Sequence, residues 1–498
     1  MRTTSKDKSP MMRMWIGILA AGLWFIATSG TAAEQLNVLF ITLDDMNWDS
    51  VGAFGAKVPD TTPNIDRLAS EGMRFEHAHV TIAICQPTRA AWMTGRYPHN
   101  SGALGFNTIN RSVPTLPETL KANGYLTGIL GKTEHVVPSR KQAFDYKRGR
   151  NEMKNGRSAV LYQKFAGEFF EKAKESKQPF FFMVNAHDPH RPFDNRKPAD
   201  KRKVASPQAG KKKANNKRQR QRGPYPAPSR IYQPDEIVVP AFLPDLPPIR
   251  EEIAQYYSSV RRADDVVGVI LASLNSAGFA DNTIVMCKSD HGIAVPFAKT
   301  NVWRNSTRTP WIVRWPGVVK AGSHDTKHLI AGVDFAPTIF DALHIEPMKG
   351  MDGNSFLTVL KGQAQADREY VYTHLNTIAS KRSYPMRSVQ TARYGLIWNG
   401  WSDGKTTFKN ESQAGLTWRA MVAAAKSDPK IAARVKHFAY RVPMEFYDYQ
   451  QDPDALHNLI ADPKMKHHVY SLTAELLQHM QTTNDPQLAA FKKTVGIE

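Results

Sequence analysis

Residues 36–45 read "LNVLFITLDD". An apolar, β-branched run ends abruptly in two aspartates. A continuous run of this length suits a strand covered on both faces. The same design recurs three times. "YLTGILG" (125–131) ends in Lys132-Thr133-Glu134-His135, "PFFFMVNA" (179–186) in His187-Asp188-Pro189-His190, and "NTIVMCKS" (282–289) in Asp290-His291-Gly292.

Helical patterns separate these runs. They cover 61–72, which has a cap-like start and a glycine stop, then 115–124, 162–176 and 249–278. Strands alternating with helices predict an α/β domain on a large, mainly parallel sheet flanked by helices. In such sheets the carboxyl ends of the strands line the ligand crevice. Here those ends carry aspartates, histidines and a lysine.

The texture changes after about residue 365. "EYVYTHL", "MRSVQTARYGLIWNG" and "MEFYDYQQDP" read as short strands with turns, and "HHVYSLTAELLQHMQTT" as a closing helix. The expected division is a catalytic domain over 34–364 and a smaller C-terminal α+β subdomain over 365–498, built on an antiparallel sheet. No internal repeat is present.

The composition is that of a globular protein, 41% hydrophobic and 22% charged, which excludes disorder throughout. The formal charge of +20 is unevenly spread. Between positions 191 and 230 stand 14 Lys or Arg against Asp194 and Asp200. The centre of that window, "GKKKANNKRQRQRG", holds almost nothing that burial could stabilise. It reads as a flexible basic insertion (194–230), either a solvated loop or a grip for a polyanion. No nucleic-acid-binding motif accompanies it, and no nucleic-acid partner is expected. At the N-terminus, basic residues precede "MWIGILAAGLWFIATSG" and a small-residue site after Ala33. Residues 1–33 therefore read as a secretory signal, and a secreted or periplasmic protein with no stable membrane insertion is expected. An exported chain with only Cys85 and Cys287 could form one disulfide on counting alone.

The strand ends suggest chemistry. Adjacent Asp44 and Asp45 repel unless a cation joins them, and Asp290 adds a third oxygen donor. Hard oxygen ligands argue for Ca²⁺ or Mg²⁺, while His291 pulls toward a softer metal. Lys132, His135 and His187 suit anion binding and proton transfer. Lys299 reads most simply as a surface lysine, though it follows the Asp290 cluster closely. Arg89 suits bidentate grip of an oxyanion or nucleophile.

The remaining motif is Cys85-Gln86-Pro87-Thr88-Arg89, followed by a small-residue run and Thr94-Gly95-Arg96. Together with "NVLFITLDD", Ser289-Asp290-His291-Gly292 and the Gly131-Lys132 element, it resembles the sulfatase family, whose fold is alkaline phosphatase-like. Thr88 replaces the family's serine and keeps the hydroxyl. Within that family the chain is most similar to the sulfamidase branch, the N-sulfoglucosamine sulfohydrolases of heparan degradation. "HDPHR", "YQPDEIVVPAFLPDLP", "SYPMRSVQ" and "EFYDYQQDPDALHNLIADP" carry the likeness nearly end to end. The basic insertion, the longer loop 373–382, and Lys299 in place of an arginine depart from it.

The resemblance implies that Cys85 is oxidised to formylglycine by a separate maturation enzyme. The hydrated aldehyde has two hydroxyls: one attacks sulfur, and the other collapses the sulfated intermediate and releases sulfate. It also implies one divalent ion, Ca²⁺ in the first instance, on Asp44, Asp45, Asp290, His291 and the residue-85 hydroxyl. Arg89 and Lys132 would stabilise residue 85 and the developing charge. His187 and Lys299 would bind sulfate and protonate the leaving atom, His135 would serve as base, and His374 in the 373–382 loop would touch the sugar. A sulfated carbohydrate is the implied substrate, and a homodimer is compatible with the likeness. The competing readings are an O-sulfatase acting on another polysaccharide, a phosphatase or phosphodiesterase on the same fold, and a non-catalytic polyanion binder.

Overall fold

The strand Asn37–Asp44 (β1) has no exposed residue, as its unbroken apolar run requires. The computed structural model describes residues 35–137, 140–194 and 225–497. The stretch read as a secretory signal and residues 195–224, most of the window read as a basic insertion, lie outside the described residues. The large sheet adds Met73–His79 (β2), Leu126–Leu130 (β3), Tyr146–Arg148 (β4), Phe180–Pro189 (β5), Thr283–Ser289 (β6), Trp311–Arg314 (β7) and Ser323–Ala331 (β8). Its order is β4-β3-β5-β1-β6-β7-β2-β8. The four strands recognised from their apolar runs are immediate neighbours, all parallel. Only β7 runs against its neighbours β6 and β2.

Both faces of β1 are covered, and side chains alternate between them. Leu39, Ile41 and Leu43 enter one core, Val38 and Phe40 the other. Against the first face pack the helices Ala159–Ser176 and Pro247–Ser276. On the second, the Phe40 ring stacks on Phe335 at 4.1 Å and meets Trp92 edge-on at 5.2 Å. Truncating such a buried ring costs roughly 3–5 kcal/mol. Trp92 lies in the helix Cys85–Thr94, all ten residues of which are buried.

The second sheet contains Val371–Thr377 (β9), Ser383–Gln390 (β10), Tyr394–Asn399 (β11) and Met444–Asp448 (β12), in the order β12-β11-β10-β9, all antiparallel. The helix Lys466–Thr482 covers it with Leu472 and Leu476 against Val389, Leu396 and Phe446. Cys85 and Cys287 are both free and buried, so the disulfide that counting allowed does not form. Cys287 sits in β6 opposite Ile41. Among the described residues no helix is long and apolar enough to cross a membrane.

Candidate active site

Because β3, β5, β1 and β6 are parallel neighbours, their carboxyl ends open on one edge. Tight turns follow the ends of β1 and β3. Asp45 has φ 69°, and Gly131 and Lys132 have φ 67° and 52°. A Cβ at position 131 would stand 2.5 Å from the Asn185 carbonyl oxygen, so only glycine fits. Lys299 is bracketed by Phe297 (φ 70°) and Thr300 (φ 63°). Left-handed backbone at non-glycine residues costs of order 1 kcal/mol or more each and concentrates at functional sites.

The ligand atoms of Asp44, Asp45, Asp290 and His291 all lie within 4.8 Å of one another, and all four residues are buried. Asp290 is held on both oxygens: Oδ1 accepts the Asp45 N–H at 3.0 Å, and Oδ2 accepts Arg89 Nη2 at 2.8 Å. Neither oxygen of Asp44 accepts a hydrogen bond, and His291 Nε2 has no partner. His291 Nδ1 lies 3.0 Å from the Gly292 carbonyl, which fixes its proton there and turns Nε2 inward. That nitrogen is 3.4 Å from Asp45 Oδ1 and 3.6 Å from Asp290 Oδ1.

The electrostatics are those of a site short of positive charge. Burial raises Asp45 to about 6, against the pull of Lys299. Burial and the neighbouring Asp44 carboxylate also raise Asp290. Burial disfavours the His291 imidazolium, yet Asp290 and Asp45 pull it up to about 9. A proton on Nε2 thus stands where a cation would. Three crowded carboxylates, of which Asp44 accepts no hydrogen bond, and one inward imidazole fit a divalent cation.

Basic residues surround the cluster. Lys132 pairs with Asp44. Burial opposes the Asp44 charge, but Lys132, His190 and Arg89 hold its carboxyl well below the usual range. Lys299 Nζ donates to both Asp45 oxygens, at 2.9 and 3.0 Å, and pairs with Glu411. Arg89 Nη1 donates to Thr42 Oγ1 at 2.8 Å and to Asn185. Asn185 Nδ2 in turn reaches the carbonyls of Leu130 and Gly131 at 3.0 and 3.1 Å. One arginine and one asparagine thereby lock β1, β3, β5 and the helix Cys85–Thr94 in register. Cys85 opens that helix, where the helix dipole favours negative charge. It lies close to His291, and Arg89 and Lys299 feel its charge.

A cavity of about 280 Å³ adjoins the cluster, lined by Lys132, His135, His187, His190 and Tyr225, among others. His187 Nδ1 is 3.9 Å from Asp44 Oδ2. Burial and Lys132 lower His187 far below its usual value and His135 to about 4. Burial and Lys299 lower His190 to about 3. Burial and the neighbouring lysines thus favour the neutral imidazole at all three positions. Beneath them Asp188 pairs with Arg157 and takes Arg262 at 2.6 and 2.9 Å, a buried anchor for the loop carrying both histidines. A second cavity of about 410 Å³ shares Lys299 and is lined further by Ile84, Phe106, Arg382, Lys409 and Glu411.

The crevice gathers Asp44, Asp45, Cys85, Arg89, Lys132, His135, His187, Asp290, His291 and Lys299. Lys299, simplest to read as a surface residue, is only 2% exposed. His374 is elsewhere. Its side chain is fully buried, stacked on Tyr97 at 4.8 Å and 3.7 Å from Asp485. It lines neither cavity, so the expectation that it touches the sugar is corrected: β9 turns its ring into the protein interior. Three further residues join the site. His190 and Asn185 were visible as the polar ends of the β5 run, but their tasks were not. Glu411 had no local signal, because it arrives from a turn in the C-terminal region.

The family model for sulfatases matches residues 36–345. This chain belongs to the sulfatase family. A second model, for the C-terminal region of N-sulphoglucosamine sulphohydrolase, matches residues 290–405. The human N-sulphoglucosamine sulphohydrolase is 28% identical over 482 residues, covering 92% of each chain. An ulvan-active sulfatase of Formosa agariphila is 24% identical over 490 residues, covering 92% of this chain and 77% of that one. A protein solved in complex with its substrate D-glucosamine-2-N,6-O-disulfate shares the fold with a TM-score of 0.66 at 20% identity, over 91% of this chain and 99% of that one. The chain is thus a sulfatase, a hydrolase of sulfate esters or sulfamates, in a family that uses a metal ion and formylglycine.

Proposed function

We propose that this sulfatase is a sulfamidase that releases sulfate from N-sulfoglucosamine units of heparan-type glycans. The carrying observation is the match of residues 290–405 to the sulfamidase C-terminal region. That stretch includes Ile378, Ser380 and Arg382 of the second cavity, so the likeness reaches beyond the nucleophile and metal residues common to sulfatases.

The residues divide the work. Asp44, Asp45, Asp290 and His291 would hold Ca²⁺, which supplies charge to polarise the sulfate and favour an alkoxide at residue 85. Formylglycine at position 85, once hydrated, supplies one hydroxyl for attack on sulfur and a second for release. Arg89 and Lys132 fix that residue and balance its charge. Lys299 and His187 grip the sulfate oxygens. A neutral His135 accepts a proton as sulfate departs, while His187, neutral in the free protein, would take up a proton once the sulfate anion lies beside it and hand that proton to the leaving nitrogen. We further propose export behind the leader at residues 1–33 and conversion of Cys85 by a separate maturation enzyme.

Sulfate release from glucosamine N-sulfate, compared with glucosamine 6-sulfate, tests the substrate. Faster release from the sulfamate is expected, and release from the ester alone would overturn the reading. Mass spectrometry of the peptide bearing residue 85 tests the aldehyde directly. The second reading is an O-sulfatase acting on another polysaccharide. It draws on the ulvan-active relative and on Lys299, one of the departures from the sulfamidase resemblance.

A further inference from the structure

Glu411 occupies an unusual place for a carboxylate. It opens the short turn Glu411–Ala414 in the C-terminal part of the chain. That turn is fixed by Asn410, whose Oδ1 accepts the Ser412 N–H at 3.2 Å and whose Nδ2 donates to the Lys299 carbonyl at 3.4 Å. The Glu411 carboxylate pairs with Lys299. Its oxygen lies within 4.8 Å of ligand atoms of Asp45 and His190. The side chain remains 44% exposed and lines the second cavity.

A fixed negative charge beside a sulfate-binding lysine weakens anion binding by simple repulsion. Beyond its pairing with Lys299, it is suited to a part of the substrate other than the sulfate oxygens. The atom that bridges sulfur to sugar differs between the two substrate classes. In a sulfamate it is nitrogen carrying one N–H donor. In a sulfate ester it is oxygen, with lone pairs only.

We infer that Glu411 is a specificity residue that accepts the bridging N–H of a sulfamate and repels the bridging oxygen of an ester. The inference deepens the sulfamidase reading and rests on it. A site built to receive an N–H discriminates strongly against an analogue lacking it, because its acceptor is then left facing lone pairs. Partial exposure moderates the effect here. Glu411 need transfer no proton for this role.

The test uses the full chain with residue 85 converted, as wild type, Glu411→Ala and Glu411→Gln. Three quantities are measured: kcat/KM for glucosamine N-sulfate, kcat/KM for glucosamine 6-sulfate, and the inhibition constant of inorganic sulfate. Glu411→Ala should lower kcat/KM for the sulfamate about tenfold or more, with sulfate inhibition unchanged or tighter. Glu411→Gln, whose amide can both accept and donate, should lose less on the sulfamate and raise any turnover of the ester. An unchanged sulfamate rate in Glu411→Ala overturns the inference. So does a loss matched by equally weakened sulfate inhibition, because Glu411 would then act only by holding Lys299. A wild type that cleaves the ester and never the sulfamate overturns the sulfamidase reading itself, a result distinguishable without any variant.

Discussion

At the strand ends, Asp44, Asp45 and Asp290 crowd around His291, and Asp44 accepts no hydrogen bond. Beside the small sheet, a second buried cluster joins His99, His374 and Asp485, again with ligand atoms within 4.8 Å. Proximity alone makes the two look alike. Their charge balance separates them. Asp485 is answered in full by Arg387, which donates to both of its oxygens. His374 and His479 are packed among rings, His479 stacked on Tyr372 at 3.6 Å and His374 on Tyr97. The first cluster, with Glu411, sets four carboxylates against three cations, Arg89, Lys132 and Lys299, and sits on left-handed backbone. The second matches its one carboxylate with one arginine. An unbalanced buried charge marks the place where something else must bind, and a balanced one holds the fold together.

The largest expected effect breaks the chemistry and spares the fold. Cys85→Ala should cut sulfate release by about 10³-fold or more, because the formylglycine proposed at that position could not form. Its melting temperature should stay near wild type. Substantial retained turnover would remove Cys85 from its role as nucleophile.

The next pair of substitutions crosses the comparison. Asp485→Ala leaves the Arg387 guanidinium buried and unpaired, which costs about 3–5 kcal/mol of stability by chemical denaturation. Asp44→Asn in metal-free protein removes one of three crowded carboxylates but leaves Lys132 short of its partner. It should cost less than Asp485→Ala while abolishing high-affinity metal binding. If Asp44→Asn destabilised the metal-free protein as much as Asp485→Ala, the charge-balance distinction would fail.

Most of the large sheet was legible because β1, β3, β5 and β6 are continuous apolar runs that end in polar clusters. That pattern exposes strand, burial and site together. The small sheet was legible as strands, but the facing of its side chains was not. His374 follows a strand pattern in "YVYTHL", yet only its pairing opposite Arg387 in β10 and the helix above reveal which way it turns. Glu411 was invisible for the opposite reason. Its turn carries no motif, and only long-range folding brings it to Lys299. Asp188 sat in a quoted cluster as though it were chemical, but Arg157 and Arg262 make it an anchor.

Metal binding should sharpen the comparison through pH. In the metal-free protein His291 holds a proton up to about pH 9. A metal ion must displace that proton below this value and need not above it. Apparent affinity should therefore rise by about tenfold per pH unit toward pH 9 and then level, with steeper dependence below about 6, where Asp45 also takes a proton. Calorimetric titration of the metal-stripped protein in buffers of different ionisation heats reads the proton release. An affinity flat between pH 6 and 8 would mean that His291 Nε2 is not a ligand.

The smallest effect belongs to His374. Burial, with Arg387 and His479 nearby, holds its imidazole well below the ordinary value of 6.5. The folded protein keeps it neutral, while the unfolded chain takes up a proton below about 6.5. Its contribution to stability is thus complete above that pH and is lost as pH falls. One such histidine removes up to about 1.4 kcal/mol per pH unit. His374→Phe preserves the stacking on Tyr97 and deletes the titration. At pH 7.5 the variant should lie within about 1 kcal/mol of wild type, because an aromatic ring of similar shape replaces a buried polar one whose nitrogens have no partner. Near pH 5 it should be the more stable of the two, and KM for substrate should not move. A KM raised tenfold would return His374 to the sugar site, and an unaltered acid slope would show that its ring is already protonated in the fold, paired with Asp485 in an ion cluster like the one at the strand ends.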